Sequence, residues 1–333
     1  MTELLSYPFM VRALLAALLT GLIAPAIGTY IVQRRLSLLG DGLGHVAIAG
    51  VGLALLTGRA PIPVAVGFCV AGAVAVEVLR QRGKATGDVG LAILFYGGLA
   101  AGVLMTGIAG QGAGALAQYL FGSLTTVSAR DLVLVAALAV VVLVPALGLA
   151  PQLFAVSADE EFARTQGLRT GAYNVLIVVL AAVTVALAMR TVGLLLVSAL
   201  MVVPVAAAQN LVRGYYAALV TAMVIGVAVS VGGAAVSFYA DTAPGALIVV
   251  LAIAVFALSW PCSWLVARRR RVALVLPEPT DETELAIPHL VTEGHPHQHA
   301  PGCGHVAVQH GDHTDFLHEG HRHAAHADHY DEH

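Results

Sequence analysis

The chain breaks into nine mostly apolar stretches, centred near residues 20, 49, 70, 98, 140, 181, 200, 226 and 254. Each is close to the roughly 20 residues that a helix needs to cross about 30 Å of hydrocarbon. The pattern predicts an all-α integral membrane protein, a polytopic bundle of about nine spans. Gly110–Ala129, with its Gly-Gln-Gly-Ala-Gly run, fits a loop, a re-entrant piece or an interfacial helix, so eight to ten spans are compatible with it. Nine spans put the two termini on opposite faces.

Composition agrees: 58% of the residues are hydrophobic and 11% charged, against about 25% charged in soluble domains. The start, Met-Thr-Glu-Leu-Leu, lacks the cationic region and cleavage site of a secretory signal, so the first stretch is expected to stay as a span. Basic residues set the direction, because cytoplasmic loops are rich in Lys and Arg. Twelve fall on one side (Arg34, Arg35, Arg80, Arg82, Lys84, Arg164, Arg169, Arg213 and Arg268 to Arg271) and four on the other (Arg12, Arg59, Arg130, Arg190). The N-terminus is therefore expected outside and the C-terminus in the cytoplasm of a cell membrane.

Charge also divides the chain. Residues 277–333 hold eleven acidic residues against Arg322 alone, so the tail carries −10 and the body +7 of a net −3. We expect a membrane domain over 1–271 and a polar tail over 272–333. Thirteen of the fourteen histidines lie beyond residue 288. His295, His297, His299, Cys303, His305, His321, His323, His326 and His329 form short tracts of a metal-binding kind, and neutral imidazole suits zinc, copper and nickel. No fixed four-ligand spacing repeats, so several exchangeable sites are expected. Pro, Gly and acids with few apolar residues predict disorder without metal. Three cysteines, Cys69, Cys262 and Cys303, make no disulfide framework.

Within the body the one histidine is His45, four residues after Asp41. That spacing sets both on one helix face, where a carboxylate and an imidazole can reach one cation. Zinc wants four ligands, so water, a symmetry mate or a group such as Tyr96 would supply the rest. The competing reading has Asp41 capping its helix after Gly40 while His45 bonds a carbonyl. Pro25 and Pro204 interrupt two spans, and Gly98-x3-Gly102 and Gly40-x3-Gly44 suit close helix approach.

The largest polar island of the body is residues 150–174. Ser157 with Glu160 has the capping-box spacing, Asp159 to Glu161 favour a helix start, and Gly167 supplies a stop. Its charge, Phe162 and Leu168 suit docking into a partner's groove. No phosphate-binding Gly-x4-Gly-Lys-Ser/Thr loop occurs, so ATP has to be handled by another subunit. An intramembrane enzyme is excluded because only His45 could serve as a base. A proton-coupled metal carrier or exporter with a His-rich sensor tail is the alternative, but the body offers it little beyond Asp41, His45 and Glu77, and Glu77 beside Arg80 reads as a surface ion pair.

Several blocks in order resemble the metal-type ABC permeases, the zinc and manganese uptake family that includes the ZnuB-like proteins. They are Arg34-Arg35-Leu-Ser-Leu-Leu-Gly40-Asp41-Gly-Leu-Gly-His45, Tyr119-Leu-Phe-Gly122, the Ala158–Gly167 helix, Thr191-Val-Gly193 to Pro204, and Ser237-Phe-Tyr-Ala-Asp241-Thr-Ala-Pro244-Gly245. The resemblance spans nearly all of 9–265. It implies an ABC importer permease that dimerises, binds two ATP-binding cassette ATPases and receives metal from an extracytoplasmic solute-binding protein. It further implies that Asp159, Glu160, Glu161, Phe162 and Gly167 belong to the helix seated on the ATPase, and that Asp41 and His45 lie on the metal path. No prosthetic group is expected, and no nucleic acid; zinc is the favoured cargo, with manganese or iron as alternatives. The tail departs from the family pattern and reads as an added metal trap or sensor.

Overall fold

The computed structural model describes residues 6–83, 87–110, 113–122, 127–273, 290–292, 304–310, 313–318, 321–326 and 329–332. Contacts divide the chain into two compact units, Met1–Arg270 and Arg271–His333.

The first unit is helical: α1 Pro8–Gln33, α2 Leu39–Thr57, α3 Pro61–Gln81, α4 Gly87–Ala92, a π-helical segment Ile93–Gly97, α5 Gly98–Ile108, α6 Ala113–Phe121 and α7 Ala129–Gly148. It continues with α8 Ala150–Ala158, α9 Glu160–Thr165, α10 Thr170–Val192, α11 Leu194–Leu211, α12 Tyr215–Ala240 and α13 Pro244–Ala273. Among the described residues nine helical stretches are long and apolar enough to cross a membrane, and they fall on the nine apolar runs of the sequence. In the uncertain Gly110–Ala129 region the described residues include the nine-residue α6.

Local sequence explains the ends. α1 and α3 open on proline in the first turn, where the missing N–H costs nothing. Ser128 and Asp131 close a reciprocal capping box on α7. Gly193, at φ +89, separates α10 from α11. The Ser237-to-Gly245 block is a tight corner, with Asp241 at φ 49 and the Ser237 hydroxyl donating to the Thr242 carbonyl at 2.5 Å.

Burial varies from span to span. In α2 72% of the span is buried, and in α1 and α10 61%, while α3 and α13 bury only 22% and 17%. The core thus sits around α2, and α3 and α13 turn broad apolar faces outward. Small residues permit the close contacts. A methyl on Gly98 would stand 2.6 Å from the His45 backbone carbon, and one on Gly102 3.1 Å from the Ala49 nitrogen, so α5 lies directly on α2. Gly44 accommodates Leu194 in the same way. Pro25 frees the carbonyl of Gly21, and that carbonyl faces Gly226 of α12.

In the second unit the described residues form a five-stranded antiparallel sheet ordered β1-β5-β4-β3-β2, from β1 Leu290–Thr292, β2 Val306–His310, β3 His313–His318, β4 His321–His326 and β5 His329–Glu332. Within it the buried Phe316 and Asp315 of β3 are set against Ala307 and Val308 of β2.

Candidate functional site

Asp41 and His45 lie on α2, the most buried span. The backbone reaches α2 through a tight turn in which Arg35 takes a left-handed φ of 59 and the Leu39 N–H donates to the Leu36 carbonyl at 2.9 Å. The residue preceding the helix is Leu38, with no side-chain cap, and Asp41 sits inside the first turn. Asp41 is therefore not the N-cap that the competing reading required. A carboxylate at that position is still favoured by the partial positive charge of the helix start.

At 1.5 Å per residue, His45 lies about 9 Å along the axis from Leu39. It is thus in the second turn, between the end that carries Arg34 and the middle of the span, and nearer the middle. Its ring meets the Phe95 ring at 4.2 Å and 72°, edge to face. Phe95 belongs to the π-helical segment, a local widening that recurs at functional positions in helices. The Nδ1 atom of His45 is buried and has no hydrogen-bond partner. Leaving such an atom unpaired costs about 1–3 kcal/mol. The carboxylate of Asp41 is near enough to act electrostatically on the imidazole.

Tyr96 does not join this pair. It is 70% exposed and its ring touches Phe95 instead, at 5.3 Å. Among the residues whose side chains are described, no three His, Cys, Asp or Glu stand together as a metal site.

The polar island folds as two short helices. Asp159, not Ser157, caps α9: its carboxylate accepts from the Phe162 N–H at 2.9 Å. Ser157 lies inside α8 with its hydroxyl buried. The predicted stop is in place, because Gly167 at φ +82 lets its own N–H and that of Leu168 bond the carbonyls of Arg164 and Ala163 at 3.0 and 3.1 Å. Glu161 is exposed, and Phe162 stands 59% exposed on this polar segment. An apolar ring in that setting has a contact to make elsewhere.

Glu77 was expected at the surface, and the structure overturns that. Its carboxylate is 2% exposed and takes a two-point bond from Arg80, at 2.8 and 3.0 Å, plus contacts from Arg34 at 3.4 Å and Gln81 at 3.0 Å. The last turn of α3 packs inward against α10, a direction that hydropathy does not encode. Arg80 reaches on to Glu160 of α9 at 3.3 Å, and Glu160 to Arg164 at 3.3 Å. Burial draws the Arg34 guanidinium below its ordinary pKa, and the Glu77 charge opposes this. Sequence reading missed this ladder because Arg34, Glu77 and Glu160 are far apart along the chain.

Two other sequence blocks also meet: Gly122, at φ +65, is so close to Gly193 that a methyl there would lie 2.2 Å from the Gly193 nitrogen. In the tail, His305 is half-buried beside β2, His321, His323 and His326 are in β4, and His329 opens β5. His295, His297, His299 and Cys303 lie outside the described residues.

Among the described residues, nine apolar helices of span length and the two short helices between α7 and α10 define a polytopic membrane protein. The chain belongs to the ABC 3 transport family, whose model matches residues 6–263. It is 33% identical over 256 residues to a probable metal transport system membrane protein of Treponema pallidum, covering 77% of this chain and 96% of the relative. It is 32% identical over 259 residues to the manganese transport system membrane protein MntC of Halalkalibacterium halodurans, covering 78% and 88%. Among solved structures, PsaBC from Streptococcus pneumoniae in complex with Fab superposes with a TM-score of 0.70 at 26% identity, over 78% of this chain and 93% of that one.

Proposed function

We propose that this chain is the permease subunit of an ATP-driven importer of divalent transition metal, with zinc favoured and manganese or iron as the alternatives. Two copies form the pathway, two separate ATP-binding cassette ATPases drive it, and an extracytoplasmic solute-binding protein delivers the ion. The basic end of the bundle faces the cytoplasm of a cell membrane, with the N-terminus outside and the His-rich tail inside.

The observation that carries the reading is the pairing of Asp41 with a buried, unpartnered His45 nitrogen in the best-buried span of a family permease. A passing ion supplies the partner that the imidazole lacks, and one carboxylate neutralises part of its charge. Two protein donors hold a divalent ion loosely enough for it to leave. Asp159, Glu160, Glu161, Phe162 and Gly167 form the segment that docks on the ATPase, with the exposed Phe162 ring as its anchor. The tail buffers arriving ions or restrains uptake when they accumulate. A proton-exchange carrier draws no support here, because Glu77 is held by two guanidiniums and Asp131 by its cap.

The test is uptake by the whole complex in proteoliposomes, with each metal followed by elemental analysis. Asp41→Ala with His45→Ala should abolish ATP-dependent zinc entry. Unchanged flux would remove both residues from the path, and uptake by the permease without any ATPase would overturn the importer reading.

A further inference from the structure

His-x2-His recurs every eight residues in the tail, as His310 and His313, His318 and His321, and His326 and His329. In the structure eight residues are one six-residue strand plus two connecting residues, since β3 and β4 each hold six. The sequence repeat and the strand repeat therefore coincide. His310 is directly opposite His313, and His326 is directly opposite His329. The β3–β4 pairing runs from Asp315 with Ala324 to His318 with His321.

Three opposed histidine pairs thus flank the three turns from β2 to β5. Directly opposed residues of antiparallel strands share a face, with Cα atoms about 4.5–5.5 Å apart. At about 4.8 Å per strand β2 and β5 are about 14 Å apart. No single ion with metal–nitrogen bonds near 2.0–2.1 Å can gather all three pairs. Each opposed pair suits one ion.

We propose that the opposed pairs His310 with His313, His318 with His321 and His326 with His329 each bind a divalent transition metal ion across two strands. Imidazole donors select zinc, copper or nickel and disfavour magnesium and calcium. This sharpens the reading of the tail given above and is independent of what the membrane body carries. It replaces a loose collection of histidines with donors set at fixed register, and it adds His310, His313 and His318 to the tail ligands. An ion bridging two strands also favours the paired sheet, because whatever binds only the ordered form stabilises it.

Composition and register are separable by exchanging neighbours. His326→Ala with Ala325→His keeps every residue type but moves one imidazole to the opposite face. A further exchange, His329→Tyr with Tyr330→His, restores an opposed pair, because Ala325 and Tyr330 are register partners. The full chain, stripped of metal in nanodiscs, would be titrated with zinc against a competing chelator. Hydrogen exchange of the metal-free tail would check that the sheet is retained.

The first exchange should weaken one zinc site about a hundredfold, as expected when two-point attachment is lost, and the second should recover it. Zinc should also slow exchange in β4 and β5 of the parent and of the double exchange only. Equal binding by all three chains would make composition sufficient and overturn the opposed pairs, and so would failure of the second exchange to recover the site while the sheet is retained. If deleting residues 277–333 left zinc binding unchanged, the metal role of the tail would itself be lost, a different result from either of these.

Discussion

The guanidinium of Arg80 bonds Glu77 at 2.8 Å and Glu160 at 3.3 Å, so one side chain ties the end of the α3 span to the short helix α9. Through Glu77 the contact extends to Arg34, five residues before α2 begins. The ladder of charges, buried at Arg34 and Glu77 and partly exposed at Arg80 and Glu160, thus joins α9 to the turn that leads into Asp41. Removing the link at Glu160 leaves the buried Glu77 pairs in place.

In the assembled complex, Glu160→Gln should lower metal uptake per ATP hydrolysed by about three- to tenfold while hydrolysis itself persists. Parallel measurement of both rates checks this. A proportional fall in the two rates would make Glu160 a docking residue only.

Glu77→Ala should destabilise the body by about 3–5 kcal/mol, because Arg34 would be left as an uncompensated buried charge while Arg80 keeps only Glu160. Thermal unfolding in detergent reads the change. A variant as stable as the parent would show the three groups to be hydrated and independent.

Gly98→Val should force α5 off α2, because even a methyl there meets the His45 backbone at 2.6 Å. A cost of about 1–3 kcal/mol is expected for such overpacking, together with a loss of zinc uptake larger than the loss of folded protein, since Phe95 shifts with α5. Uptake normalised to folded protein is the measurement.

Phe162→Ala should weaken association with the ATPase by about 2 kcal/mol, the loss typical of a buried aromatic anchor. Co-purification across a salt and detergent series follows it. Full retention of the ATPase would place the docking surface elsewhere.

Deleting residues 277–333 should leave initial uptake intact at low external zinc. At high internal zinc the truncated chain should continue transporting where the parent slows. Identical curves at every load would leave the tail without a regulatory role.

Much of this architecture was legible in the order of residues. Apolar runs of span length give the nine helices, because crossing hydrocarbon requires every backbone group to be bonded within its own segment. Pro8, Pro61 and Gly193 mark helix boundaries, and Gly167 marks the end of α9, since the backbone freedom of these residue types is local. Asp41 and His45 were readable as a pair because four residues make one helical turn.

Contacts between distant segments were decided only by the tertiary structure. Hydropathy set Glu77 near a membrane face but could not orient the last turn of α3, which packs inward and buries the carboxylate between Arg34 and Arg80. Neither could it bring Gly122 to Gly193, or show Tyr96 turned away from His45. The tail makes the same point: its histidines were visible, but which of them stand opposite one another depends on strand register, which pairing across the sheet fixes. Spans and turns follow from short-range chemistry, whereas charge partners and ligand geometry arise from the packing of segments far apart in sequence.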